Sequence, residues 1–221
     1  MKINRLALRL CMCALVLLRA LSLYADGKDS LSRKMIHMAG IDVKPAYVFP
    51  THEFFAGNNA TFSPIRKNLS VHLKYGFKFA PDTYFGRMYP HAVQGIGVGY
   101  NTFFHSSELG NPWSVYAFQT SRIASLTTRL SLDYEWNFGA SFGWKKYDAE
   151  SNPYNRVVGS KMNAYIHLSF LLNWQLDAQT NLRAGIGATH FSNGNTAYPN
   201  AGVNTLGASI GLTRYFGGTS R

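Results

Sequence analysis

The sequence predicts an all-β chain folded as an eight-stranded antiparallel up-and-down transmembrane β-barrel, and three observations carry the prediction. In residues 129–144 the apolar set Leu130, Leu132, Tyr134, Trp136, Phe138, Ala140, Phe142 and Trp144 alternates with Arg129, Ser131, Asp133, Glu135, Asn137, Gly139, Ser141 and Gly143. That is the period of a strand greasy on one face, sustained beyond the roughly 3–10 residues of ordinary sheet strands. Segments of this kind recur eight times along the chain. Eight is an even number, and a sheet in hydrocarbon has to close, because an open edge leaves backbone N–H and C=O groups unsatisfied. The amino terminus, finally, reads as an export signal.

In that signal Lys2, Arg5 and Arg9 precede an apolar run at 10–23, and Ala25 is followed by the polar Asp26-Gly27-Lys28. Residues 1–25 are expected as a cleaved signal peptide and 26–221 as the barrel domain. Arg19 interrupts the apolar run, which is too short and too charged for a spanning helix. Both cysteines, Cys11 and Cys13, fall within it. The exported part therefore has no cysteine, which excludes a disulfide framework and a thiolate zinc site. Residues 1–25 hold four basic and no acidic residues, so the formal charge falls from +11 to +7 on their removal. A basic exported protein meets phosphorylated lipid sooner than nucleic acid, and no nucleic-acid partner is expected.

Residues 26–39 are polar and basic without a clear period, and are expected as a short periplasmic lead-in. The first strand, 40–50, is weak, with Ile41, Val43, Tyr47 and Phe49 on one face. Residues 51–68 hold Gly57, Asn58, Asn59 and Pro64 and read as a long loop. The second strand, 71–79, sets Val71, Leu73, Tyr75, Phe77 and Phe79 against His72, Lys74, Gly76 and Lys78. After a segment rich in Pro81, Asp82, Gly86 and Pro90 comes the third strand, 92–104, with Ile96, Val98 and Tyr100 opposing Gly95, Gly97, Gly99 and Asn101. These glycines lack dinucleotide-loop spacing and read as small residues facing the inside of a narrow barrel. The fourth strand, 113–123, is less regular than the fifth, described above. The sixth, 162–176, sets Met162, Ala164, Ile166, Leu168, Phe170, Leu172 and Trp174 against Asn163, Tyr165, His167, Ser169 and Asn173, with aromatics near strand ends as in interfacial girdles. Residues 182–192 and 203–216 complete the set.

A barrel of this size fills its interior with side chains. Arg129, Asp133, Glu135 and His167 are expected there as a paired polar network. With the amino terminus in the periplasm, odd strands run outward. Connections near 125–127 and 177–179 are short, as periplasmic turns are, and those at 51–68, 105–112, 146–159 and 193–202 are longer, as extracellular loops are. The segment 81–91 is longer than a periplasmic turn requires.

Chemistry concentrates at 188–204, which holds His190, Ser192, Asn193, Gly194, Asn200, Gly202 and Asn204. Residues i and i+2 of a strand share a face about 6.6 Å apart, so an imidazole at 190 can reach a hydroxyl at 192. Both continue the parity of Leu182, Ala184, Ile186 and Ala188, while Asn204 shares that of Leu206, Ala208, Ile210 and Leu212. All three are expected on the lipid face at the outer end, where polar groups cost little.

This stretch resembles the outer-membrane lipid A 3-O-deacylases of the PagL type, which carry His-x-Ser-Asn on a late strand, Pro-Asn across a loop and Gly-x-acid on the next strand. His190, Ser192 and Asn193 match the first part, and Pro199, Asn200 and Gly202 the second. Asn204 stands where the family has a glutamate. The resemblance implies an outer-membrane serine esterase that needs no cofactor or metal and removes an ester-linked (hydroxy)acyl chain from lipid A of lipopolysaccharide. In it Ser192 is the nucleophile, His190 the base and Asn204 the residue that orients the imidazole. An asparagine carbonyl can accept from an imidazole N–H but brings no charge. Backbone N–H groups of Asn193 and Gly194, with the Asn200 side chain, are candidates for the oxyanion hole.

Two other readings stay open. One is a non-catalytic structural or adhesive outer-membrane barrel, in which 193–200 are turn formers. The other is an esterase of glycerophospholipids, set apart through the loop residues Arg66, Lys67, Lys145, Lys146 and Arg156, which could meet lipid A phosphates. Glu108 is expected in a solvated loop, and the oligomeric state is not legible.

Overall fold

The computed structural model describes residues 35–219; the expected signal peptide at 1–25 lies outside the described residues. Eight strands follow in order: β1 (Met35–Val48), β2 (Lys67–Phe79), β3 (Val93–Thr102), β4 (Gly110–Ser125), β5 (Leu130–Trp144), β6 (Met162–Gln175), β7 (Thr180–Ser192) and β8 (Val203–Phe216). Each pairs antiparallel with the next, and β1 pairs antiparallel with β8, closing the barrel. The alternation sorts as expected. Leu73, Ile96, Phe138, Phe170, Ile186 and Ile210 face outward and bare, while His72, Ser114, Asn137, His167 and Ser209 are buried inside. The small inward residues of β3 have a direct cause: a Cβ on Gly97 would strike the Tyr116 ring, and one on Gly99 the His72 ring.

The mid-barrel interior is ionic. Lys74 Nζ lies 2.9 Å from both carboxylate oxygens of Glu135 and also pairs with Asp42, while Arg183 pairs with Glu135. The Thr120 hydroxyl donates to Glu135 at 2.8 Å, and Lys44 Nζ is 3.1 Å from His167 Nε2. Glu135 and His167 are thus interior, as is Asp133, but Arg129 is exposed in the β4–β5 turn. Its expected place is taken by Asp42, Lys44, Lys74 and Arg183. Glu135 compensates two buried cations at once. Glu135→Gln should therefore cost about 3–5 kcal/mol of stability, seen as a lower denaturant midpoint by tryptophan fluorescence; an unchanged midpoint would contradict the ionic account.

Other boundaries differ from expectation for physical reasons. β1 begins at Met35, inside the expected lead-in, because Ile36 and Met38 put apolar side chains on the inward face, beside Lys78 and Tyr215, which hides the alternation. Trp144 turns inward, not toward lipid. The β4–β5 ladder shifts register between Gly110 and Trp113, Gly143 has φ +90°, and the strand loses its parity there. The Trp144 indole N–H donates to Ser141 Oγ at 2.9 Å, and its ring packs on Phe103 and Phe191. The 51–68 loop contains a helical turn, α1 (Glu53–Ala56), capped by His52 Nδ1 accepting from the Phe54 N–H. The long 81–91 segment contains another, α2 (Tyr84–Met88), capped by Thr83.

Candidate active site

β7 ends in Thr189-His190-Phe191-Ser192, and its neighbours fix where these side chains go. His190 pairs with Ile166 on β6 and Asn204 on β8, and Ser192 pairs with Ala164. Phe191 points inward and is buried, packed edge-to-face on Phe103 and Trp144 and tilted against Tyr165. Anchoring that one ring forces the residues on either side of it outward, so His190 and Ser192 share the lipid-facing side, half-buried, at the rim of the barrel.

His190 Nδ1 lies 2.7 Å from Asn204 Oδ1. An amide oxygen only accepts, so this contact places the ring proton on Nδ1 and leaves Nε2 as a lone pair on the opposite side of the ring. The Ser192 hydroxyl has no hydrogen-bond partner among the described residues. Nucleophile–base hydrogen bonds are commonly loose before substrate binds. Gly202, with φ +71° just before β8, closes the site: a Cβ there would meet the Phe191 carbonyl oxygen at 3.0 Å, His190 Cε1 at 3.3 Å and Ser192 Cβ at 3.7 Å.

The adjoining turn is tightly made. The Asn193 N–H donates to Asn200 Oδ1 at 3.1 Å, Asn193 Nδ2 donates to the Ala197 carbonyl at 2.8 Å, and Thr196 bonds back to the Asn193 carbonyl through its N–H and hydroxyl. Of the groups expected to receive an oxyanion, the Asn193 N–H is thus already engaged. The Gly194 N–H and Asn200 Nδ2 have no protein partner among the described residues.

A second layer of loop residues holds this one, and sequence reasoning missed it. Asn155, fully buried, donates to the carbonyls of Glu108 and Lys145 at 2.8 Å each and accepts from the N–H groups of Val157 and Val158. The Val157 carbonyl accepts the Gly202 N–H at 3.2 Å. Glu108 is buried rather than solvated: its carboxylate accepts from the Ala60 N–H and from His105 Nε2 at 2.7 Å, tying the outer loops together. Such loop asparagines carry no periodic signal. Nearby, N–H and hydroxyl donation from Ser151 and the Glu150 N–H hold the Asp148 carboxyl below its usual range. Of the basic loop residues, Arg66 donates to the Phe55 carbonyl, Lys145 to the Ser107 carbonyl, and Arg156 lies over the Tyr147 ring. Lys67, expected in a loop, is the first residue of β2, and it and Lys146 stand exposed.

A closed eight-stranded barrel with a continuous apolar outer band and a polar interior is a transmembrane barrel of the outer-membrane class. The sequence model of the lipid A 3-O-deacylase (PagL) family matches residues 94–213, over half of the chain. The chain belongs to that family. Among solved structures it is similar to the outer membrane enzyme PagL, with 12% identity and a TM-score of 0.53 across 78% of this chain and 97% of that one. It is also similar to Neisserial surface protein A, with 8% identity and a TM-score of 0.50 across 83% of this chain and 97% of that one. At such identities the likeness concerns the fold. No curated protein sequence matches.

Proposed function

We propose that this chain is an outer-membrane serine esterase that removes an ester-linked (hydroxy)acyl chain from lipid A, exported by a signal segment ending at Ala25. The observation that carries the reading is the 2.7 Å contact between His190 Nδ1 and Asn204 Oδ1, with Ser192 on the same lipid-facing side at the barrel rim. A bilayer ester presents its carbonyl near the interface, so a nucleophile on the outside of the barrel meets it without extraction of the lipid.

In the proposed sequence, His190 Nε2 takes the Ser192 hydroxyl proton as Oγ attacks the ester carbonyl. The tetrahedral oxyanion is received by the Gly194 N–H and Asn200 Nδ2, donors free for that purpose. Collapse breaks the C–O bond to the sugar, whose oxygen takes the proton from His190. Water, deprotonated by the same imidazole, then cleaves the acyl-serine and frees the fatty acid. Asn204 keeps the imidazole in the required tautomer throughout.

The nucleophile can be tested without substrate. A fluorophosphonate probe should phosphonylate Ser192 in the folded barrel, found by peptide mass, and His190→Ala should abolish labelling. Labelling elsewhere, or undiminished labelling without His190, would refute the assignment. The rival reading, a barrel without catalysis, takes its support from the missing acid at 204 and predicts no labelling at all.

A further inference from the structure

We infer that α2 and the residues flanking it are a membrane anchor seated in the headgroup region of the leaflet at the barrel end opposite His190 and Ser192. The β2–β3 connection is anomalously long. The β4–β5 and β6–β7 connections at the same end are tight turns, whereas the β2–β3 connection runs from Ala80 to Ala92. Within it Tyr84, Phe85, Met88 and Tyr89 are 64%, 52%, 52% and 57% exposed. On a helical turn, residues three and four apart lie together, so these four large side chains form one apolar face. In water that face would be a cost without a return.

What covers it follows from continuity with the barrel's own lipid face. Phe77 and Phe79 have the outward parity of Val71, Leu73 and Tyr75. The Phe79 ring lies 5.7 Å from Phe77 and 5.2 Å from Phe85, and Phe85 is 5.4 Å from Tyr84. The rings thus run without a break from the strand onto the helical turn. Two contacts hold α2 in that pose: Gly86 is buried against the Ala80 carbonyl, and Thr83 Oγ1 accepts the Gly86 N–H while donating to the Ala80 carbonyl. The charged Arg87 is turned back, donating to the Asp82 carbonyl at 2.7 Å. Tyrosine, phenylalanine and methionine on one side with a charge folded to the other is the composition of an element lying in the interface plane. The anchor sits at the β2–β3 edge, and the His190 face spans β6 to β8. Membrane contact at the far side and far end sets the height and tilt at which the His190 rim meets its leaflet.

The test uses the exported chain, residues 26–221, which holds no cysteine of its own, reconstituted in phosphatidylethanolamine–phosphatidylglycerol vesicles. Nitroxide labels are placed one at a time by Phe85→Cys, Met88→Cys and Asp82→Cys, and collision with oxygen, which partitions into lipid, is compared with collision with a water-soluble nickel chelate. The oxygen-to-nickel ratio should be several-fold higher at 85 and 88 than at 82. A ratio at 85 and 88 as low as at 82 would overturn the anchor. Shielding of 85 and 88 from both reagents would overturn it too, since it would mean that protein covers the face.

Discussion

Ser192→Ala should lower the rate of lipid A deacylation by at least about 10³-fold, with little change in the concentration of lipid A needed for half-maximal rate. The size follows from the proposed role: without Oγ no acyl-enzyme would form, and what would be left is water attack assisted by the oxyanion donors. The specificity of the effect follows from the surroundings. Ser192 Oγ has no hydrogen-bond partner among the described residues, and the residue lies half-buried at the rim, so its removal should leave stability within about 0.5 kcal/mol. The measurement is fatty acid released from purified lipid A in mixed micelles, beside a denaturant midpoint for the same protein. A variant that is stable and still active within tenfold of wild type would remove Ser192 from the mechanism.

The second large effect is at 204, and it runs in both directions. Asn204→Leu keeps roughly the shape but takes away the acceptor for His190 Nδ1, so the ring can rotate or carry its proton on the wrong nitrogen; a loss of about 10²-fold in kcat is expected. Asn204→Glu replaces a neutral acceptor by a charged one. Hydrogen bonds to charged groups exceed neutral ones by about 1–2 kcal/mol, and the excess is largest when the ring becomes imidazolium in the transition state, so kcat should rise about tenfold. The half-buried, outward position leaves room for the extra methylene. Full activity in Asn204→Leu would show that the 2.7 Å contact does not orient the base. An Asn204→Glu variant no faster than wild type, with Asn204→Leu impaired, would show that orientation and not charge is what residue 204 supplies.

The strands were readable because lipid demands apolar residues at every second position, and Val71, Leu132, Ile166 and Leu212 meet that demand. The reading failed where inward positions also carry apolar side chains. Ile36 and Met38 face inward at the start of β1, and Trp144 follows a register shift that no residue type announces. The placement of the candidate site residues was readable in part for the same reason. His190, Ser192 and Asn204 continue lipid-facing parities on strands that contain no bulge between 180 and 192, so their convergence followed from counting. What holds them is not periodic. The buried ring of Phe191, the Asn155 hub and the Glu108 tie depend on loops meeting across the barrel mouth, a tertiary arrangement with no local signature. The ionic core shows a middle case: Lys74 and Arg183 sat at inward positions in plain view, but which charge pairs with which is set by strand order and stagger.

The decisive comparison is mass spectrometry of lipid A from cells expressing the wild type and Ser192→Ala. Wild type should remove the mass of one hydroxyacyl chain, and Ser192→Ala, inserted to the same level, should leave lipid A intact. Unchanged lipid A with a correctly inserted wild type, or the same loss from both, would contradict the proposed serine esterase.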